Sequence, residues 1–268
     1  HHAQSQLRRF LNTIGGFVGA KNTYSHAAAE VLLPYIVGMP HRVFQDQLTS
    51  MDLIAENCEL LVCFGGISAR TAQVSSSGTT QHEVTPFLNS VAANGCKIIN
   101  ISPRGSDMNA ALNADWIAPR PGTDTALILA LAYEVFQTGQ ADRKFLHSYT
   151  RGADAFEAYV MGRPDGQPKS AEWAYKICDI PAARIKSLAA QMTSSKTMIS
   201  MTWSLQRADH GEQPIWAGLA LAAMLGEIGQ PGTGFGFGYG STTPVGRARK
   251  LVDWPSVPQG QNPIADFI

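Results

Sequence analysis

Short apolar runs alternate along the chain with segments whose apolar residues recur at helical spacing. Residues 60–64, Leu-Leu-Val-Cys-Phe, are uniformly apolar and are followed by two glycines. A run of this kind is typical of a strand that is buried on both faces of a sheet. Further strands are predicted at residues 97–101, 116–118 and 197–203.

The remaining segments have the patterns of helices. Residues 4–14, 83–94 and 182–192 carry apolar side chains on one face, which predicts amphipathic helices. Residues 125–137 are apolar nearly all round, and the helix predicted at 213–225 contains the strongly apolar run 215–225, so both are predicted to be buried helices. This alternation of strands and helices predicts an α/β fold, a parallel sheet with helices on both faces.

The loops that follow the strands are the first candidates for a functional site, because open parallel sheets bind ligands beyond the carboxyl ends of their strands. These loops are residues 65–73, 102–106, 119–124 and 203–211. Arginines and hydroxyl groups among glycines, without a metal-ligand cluster, suit a large phosphorylated cofactor. The polar side chains in question are Arg70, Thr71, Gln73, Ser102, Arg104, Ser106, Arg120, Thr123, Asp124, Ser204, Gln206, Arg207 and His210.

Each of these side chains also has a structural interpretation. Arg70 and Arg104 have the character of solvated loop cations, and Asp124 that of a carboxylate facing a helix dipole. Gln206 and Arg207 could simply tie a loop in place. The sequence alone leaves both interpretations open for each residue.

Composition and charge narrow the function classes. The 268 residues can form one large or two smaller domains, and 21 basic residues balance 21 acidic ones, which leaves no basic field for nucleic acid. The longest apolar run, residues 215–225, is too short to cross a bilayer. The cysteines lack CxxC spacing and are predicted to be structural thiols in apolar surroundings. They are Cys58, Cys63, Cys96 and Cys178.

A polar stretch at residues 22–26, Asn-Thr-Tyr-Ser-His, precedes three alanines and predicts the start of a helix. Asn22, Thr23 and Ser25 are residue types that cap helices, and Thr123 is expected to cap the helix at 125–137. A helix N-terminus suits an anion or a metal-bound oxyanion. Ser25 is therefore either an ordinary cap or a functional hydroxyl.

Residues 232–240 place glycine at every second position, with aromatic residues between several of them. This spacing is not the GxGxxG of dinucleotide-binding sites, and it follows a predicted helix rather than a strand. The pattern predicts an extended segment. That segment is either pressed against something flat or bulky, or packed on the core as a structural tail.

Several longer motifs are more specific. They are Trp-Ser-Leu-Gln-Arg at residues 203–207, His-Gly-Glu-Gln at 210–213, Leu-Gly-Glu-Ile-Gly at 225–229, Pro-Gly-Thr-Gly-Phe-Gly at 231–236, and Tyr24-Ser25 with Leu33-Pro34. With these motifs the chain resembles the molybdopterin oxidoreductases of the dimethyl-sulfoxide reductase type. Within that family it is most similar to the branch that reduces biotin sulfoxide, methionine sulfoxide, dimethyl sulfoxide or trimethylamine N-oxide.

The resemblance implies a metal site and a cofactor. Ser25 would be the protein ligand of molybdenum, which two molybdopterin guanine dinucleotides (bis-MGD) would also bind, with no iron–sulfur cluster in this segment. The implied reaction transfers an oxygen atom from an S-oxide or N-oxide to molybdenum, with two-electron reduction to water. The implied cofactor contacts are Arg70, Thr71, Gln73, Ser102, Pro103, Thr123, Asp124, Trp203, Gln206, Arg207 and His210.

The resemblance also implies that the chain is the central part of a longer prokaryotic enzyme, and that the isolated fragment is inactive. Residues 1–50 would belong to a mixed α+β domain carrying the ligand serine, 51–210 to a Rossmann-like cofactor-binding domain, and 211–268 would return to the neighbouring domain. The substrate would be a small oxide and the electron donor a cytochrome or a thioredoxin-like or flavin protein. The compartment would be periplasmic or cytoplasmic, with any export signal upstream.

Two functions of a different kind remain open from the sequence. The chain could be a non-catalytic α/β domain that binds a nucleotide. It could also be a serine hydrolase with Ser25 as nucleophile, although residues 23–27 lack both glycines of a G-x-S-x-G nucleophile elbow.

Overall fold

The fold is built on a parallel β-sheet. A computed structural model describes residues 3–19, 22–23, 25–68, 70–71, 82–240, 245–246 and 258–264. Within these ranges the sheet has five strands in the order β3-β2-β1-β4-β5, all parallel. The strands are β1 Leu60–Phe64, β2 Lys97–Ile101, β3 Asp115–Ile117, β4 Thr197–Met201 and β5 Gly234–Phe237. The predicted α/β class and the first two strands are confirmed.

The helices surround this sheet. They are α1 Ala3–Thr13, α2 Ala27–Ile36, α3 His41–Gln47, α4 Met51–Asn57, α5 Val84–Ala93, α6 Asp124–Gln137, α7 Arg143–Tyr149, α8 Ala153–Val160, α9 Ala171–Cys178, α10 Ala182–Thr193 and α11 Glu212–Leu225. Every residue of β1 is buried, so helices cover the sheet on both faces. The two helices predicted to be buried, α6 and α11, pack against each other in the core.

Two strand boundaries differ from the prediction. The strand predicted at 197–203 ends at Met201, because Trp203 begins a 3₁₀ turn, Trp203–Gln206. The third strand is Asp115–Ile117 rather than 116–118. The four cysteines are free and buried, as predicted, and burial raises the pKa of the Cys63 thiol.

The glycine-rich segment is part of the sheet. Gly234–Phe237 forms β5 beside β4, and Phe235, Phe237 and Tyr239 are buried. A Cβ on Gly236 would overlap the Tyr239 ring, so glycine is needed there for close packing. Packing on the core is thus the interpretation that holds. The division into segments 1–50, 51–210 and 211–268 stays a prediction.

The predicted helix at the start of the chain forms, but its apolar side chains Leu7 and Phe10 are exposed. Among the residues that the structure describes, no helix has both the length and the apolar character needed to span a bilayer.

The strand order creates a crevice at the carboxyl edge of the sheet. Strand β1 has β2 on one side and β4 on the other, so the loops after β1 and β4 leave the sheet in opposite directions. Ligands bind at such a switch point in open α/β sheets. Gly65 lies there with φ +82, and a Cβ on it would overlap the Thr202 side chain. Glycine therefore lets the two loops meet closely.

Candidate functional site

Ser25 lies in a turn immediately before helix α2 and is half-buried. Its backbone N–H donates to Thr23 Oγ1 at 3.2 Å. Its hydroxyl has no hydrogen-bond partner within the part of the chain that the structure describes. Tyr24 lies outside the described residues. No described side chain or backbone group therefore engages the Ser25 hydroxyl.

The predicted capping of helix α2 by Asn22, Thr23 or Ser25 is wrong. The helix begins at Ala27, and its N-cap residue is His26, whose side chain makes no capping bond. In the first turn, the N–H of Ala29 donates instead to Gln206 Oε1 at 2.9 Å. A side chain from the loop after β4 therefore takes the place of a local cap.

Gln206 joins that loop to the Ser25 turn. Its side chain is buried, and its Nε2 donates to the carbonyl oxygens of Ser25 at 3.1 Å and Trp203 at 3.2 Å. Arg207 Nη2 lies 3.5 Å from the same Ser25 oxygen. The structure thus brings together four of the predicted site residues, which are Ser25, Trp203, Gln206 and Arg207.

Aromatic and imidazole rings form a wall beside Ser25. The His26 ring packs on Trp203 with 4.1 Å between centroids, and the His41 ring lies 4.6 Å from that of His26. His26 Nε2 lies 2.8 Å from Glu30 Oε1. Burial, reinforced by His26, lowers the pKa of His41 to about 4, so this imidazole is neutral at pH 7.

Glu30 and His41 were not among the site residues predicted from the sequence. The spacing of His26 and Glu30, four residues apart on a helix, was a usable signal for their contact. No comparable local signal marks His41. Its ring meets that of His26 only because helix α3 packs beside helix α2.

The loops after β1 and β2 are in contact. Arg70 Nη2 donates to the carbonyl oxygen of Ser106 at 3.0 Å, while the Ser102 hydroxyl is buried and donates to Asp107 Oδ2 at 2.6 Å. A Cβ on Gly66, which has φ +73, would overlap the Asp107 backbone. Thr71 and Pro103 are exposed in these loops, and Gln73 lies outside the described residues.

The loop after β3 leads into helix α6. Thr123 is the N-cap residue, as predicted, but its hydroxyl makes no capping bond and donates instead to the Arg120 carbonyl at 2.6 Å. Arg120 itself pairs with Asp179 at 2.7 Å. Asp124 opens the helix and is only 8% exposed, and burial raises its pKa to about 6.

Thr123 and Asp124 line a broad groove of about 1950 Å³. The exposed His210, whose φ is +53, lines the same groove. The predicted residues that the structure describes therefore fall into three groups. These are the Ser25–Trp203–Gln206–Arg207 group, the contact between the loops after β1 and β2, and the Thr123–Asp124–His210 groove.

Comparison with known proteins identifies the family. The sequence model of the molybdopterin oxidoreductase family matches residues 1–260 of this chain, so the chain belongs to that family. The predicted resemblance is therefore confirmed.

The relatives of this chain include oxide reductases. The chain is 43% identical to a biotin sulfoxide reductase of Cereibacter sphaeroides over 268 residues, which is 100% of this chain and 36% of that protein. It is 41% identical to a trimethylamine-N-oxide reductase of Haemophilus influenzae, over 89% of this chain and 29% of that protein. The chain thus spans about a third of the length of these relatives.

A solved structure supports the fold. Acetylene hydratase from Pelobacter acetylenicus superposes with a TM-score of 0.58 at 22% identity, covering 84% of this chain and 28% of that one. At this identity the likeness concerns the fold alone.

Proposed function

We propose that this chain is the central part of a molybdenum-dependent reductase of S-oxides or N-oxides, with Ser25 as the protein ligand of the metal. The observation that carries the proposal is the Ser25 hydroxyl, which has no partner among the described residues while Gln206 holds its backbone at the rim of the sheet crevice. The names of the relatives, a biotin sulfoxide reductase and trimethylamine-N-oxide reductases, support the substrate class.

The residues present fit a large polar cofactor. Buried polar groups are nearly always hydrogen-bonded. Yet Trp203 Nε1 and His26 Nδ1, in the wall beside Ser25, and Asn100 Oδ1 on β2 are buried with no partner among the described residues. Polar atoms left over at the carboxyl edge of a parallel sheet are the groups that a nucleotide-bearing cofactor would use.

The proposed cofactor is molybdenum with two molybdopterin guanine dinucleotides. Trp203 and Arg207 would lie near a pterin, and the other contacts would line the cofactor, with Ser102, Pro103, Thr123 and Asp124 near its nucleotide end. Arginine is well suited to phosphate, because its planar fork forms paired charge-assisted hydrogen bonds. Those other contacts would be Arg70, Thr71, Gln73, Ser102, Pro103, Thr123, Asp124 and His210.

When bound, the cofactor supplies the oxygen-atom transfer and the two-electron redox chemistry. Ser25 needs no neighbouring base to bind as an alkoxide, because a bound metal ion lowers the pKa of a coordinated hydroxyl. The His26 ring, next to Ser25 in the chain, packs on Trp203 and His41 and would help to exclude water there. Arg207 is exposed and lies close to the Ser25 carbonyl, so its positive charge would favour the alkoxide form of Ser25.

Metal and nucleotide analysis of the full-length protein tests this function. We expect molybdenum, two guanine nucleotides released for each metal, and turnover of a sulfoxide or an N-oxide with a reduced viologen dye as electron donor. Nucleotide without molybdenum would instead support the non-catalytic domain. Labelling of Ser25 by a fluorophosphonate would support the hydrolase.

A further inference from the structure

Gln206 has no side-chain N–H left for a ligand. A glutamine amide has two N–H donors and one oxygen. Both donors are used, on Ser25 O at 3.1 Å and Trp203 O at 3.2 Å, and the oxygen accepts from Ala29 N at 2.9 Å. The residue is 6% exposed. All the hydrogen-bonding groups of this side chain therefore bind the protein backbone, and none is left to bind a ligand.

We propose that Gln206 is a positioning residue that fixes the Ser25 hydroxyl for metal binding and does not itself contact the cofactor. This inference rests on the proposed role of Ser25. One amide holds the carbonyl of Ser25 and the start of helix α2 at the same time. A single side chain therefore holds both Ser25 and the first turn of the helix that follows it.

The turn that carries Gln206 is closely packed. The 3₁₀ turn Trp203–Gln206 follows β4, all of whose residues are buried. Gly211 packs directly on this turn, since a Cβ there would overlap the Gln206 carbonyl. Gln206 thus links the backbone of Ser25 to a packed turn that follows directly from strand β4. Sites held by packed elements are more accurately placed than sites held by loops alone.

Within the described part of the chain, few hydrogen bonds other than those of Gln206 hold the backbone of the Ser25 turn. The N–H of Ser25 is held by the neighbouring Thr23 hydroxyl, and His26 makes no capping bond for helix α2. Arg207 lies 3.5 Å from the Ser25 oxygen and is exposed, so it cannot replace a buried bond of 3.1 Å. Removing the Gln206 amide would leave the Ala29 N–H and the Ser25 carbonyl without their buried partner.

Two substitutions separate positioning from simple helix capping. Gln206→Met keeps the length and apolar volume of the side chain but removes all three hydrogen bonds. Gln206→Glu keeps an oxygen for the Ala29 N–H but supplies at most one of the two donors, even when protonated. A matched control is Gln191→Met on helix α10, where Nε2 of the glutamine donates to Ser187 within the helix and Oε1 accepts from Lys97 Nζ at the amino end of β2.

The test uses full-length protein and four readouts, which are hydrogen exchange at Ala29 in the cofactor-free state, molybdenum content, the Mo(V) electron paramagnetic resonance signal, and kcat. We expect faster exchange in Gln206→Met and near-wild-type exchange in Gln206→Glu. Both variants should retain molybdenum but show an altered signal and a kcat lowered about 10–100-fold, the usual effect of losing a group that orients a metal ligand. Gln191→Met should match the wild type.

Two results would overturn the inference. One is a Gln206→Glu variant with wild-type kcat and signal, which would make Gln206 only a helix cap. The other is loss of molybdenum from both variants with unchanged exchange at Ala29, which would make Gln206 a direct cofactor contact. A separate result, wild-type activity in Ser25→Ala, would remove the proposed function itself.

Discussion

Ser25→Ala in the full-length protein is expected to lower sulfoxide and N-oxide turnover by at least about 100-fold, since loss of even an outer partner of a metal ligand costs about 10–100-fold. Stability should change by less than about 0.5 kcal/mol, because the Ser25 side chain is half-buried and its hydroxyl has no partner among the described residues. Steady-state kinetics and thermal unfolding measure the two effects.

A matched control for this variant is Ser194→Ala. Ser194 is exposed, and its hydroxyl donates to Ala190 at the end of helix α10. Because it precedes β4, it lies at the amino edge of the sheet, opposite the site. Turnover should be unchanged in the control. Equal activity of Ser25→Ala and Ser194→Ala would exclude Ser25 from the chemistry.

Asp124→Asn is expected to stabilise the cofactor-free protein above pH 6 by on the order of 1–3 kcal/mol. Burial raises the pKa of Asp124 from 3.8 to about 6, so the folded state binds this proton more tightly than the unfolded state. The stability due to this group is therefore fully present below pH 3.8 and is lost as the pH rises through 6. Asparagine does not ionise, so the Asp124→Asn variant does not lose this stability as the pH rises.

Urea unfolding at pH 4 and pH 8 measures this difference. The advantage of Asp124→Asn over the wild type should be small at pH 4 and full at pH 8. Asp154→Asn, an exposed first-turn substitution in helix α8, is the control and should show no such advantage. The full-length Asp124→Asn variant should also retain less cofactor if Asp124 binds it. An equal advantage at both pH values would contradict burial as the cause.

Local pattern was sufficient for the central strands of the fold. Residues 60–64 and 97–101 form strands with the predicted bounds, because a short apolar run between turn signals has few other solutions in an α/β chain. Strand β5 was not predicted as a strand, since glycine weakens strands in isolation. It forms because β4 offers a partner edge and the aromatic residues between the glycines are buried.

Long-range contacts explain what the sequence missed in the site. Parallel strands bring their carboxyl ends to one edge, so the four loops could be predicted from the order of strands and helices alone. Gln206 and Ser25 are 181 positions apart, and no local pattern pairs them. The sequence left open whether Gln206 ties a loop or binds a ligand, and only the contact with Ser25 favours the first. The absent capping bonds of Ser25 and Thr123 have the same origin, since tertiary and turn bonds replaced the local ones.

Molybdenum K-edge X-ray absorption of full-length Ser25→Cys tests the role of Ser25 most directly. If Ser25 is the protein ligand, the variant should exchange one oxygen neighbour of the metal for a sulfur, because a thiolate in that position binds the metal in its place. A spectrum identical to that of the wild type, at equal molybdenum content, would contradict ligation by Ser25.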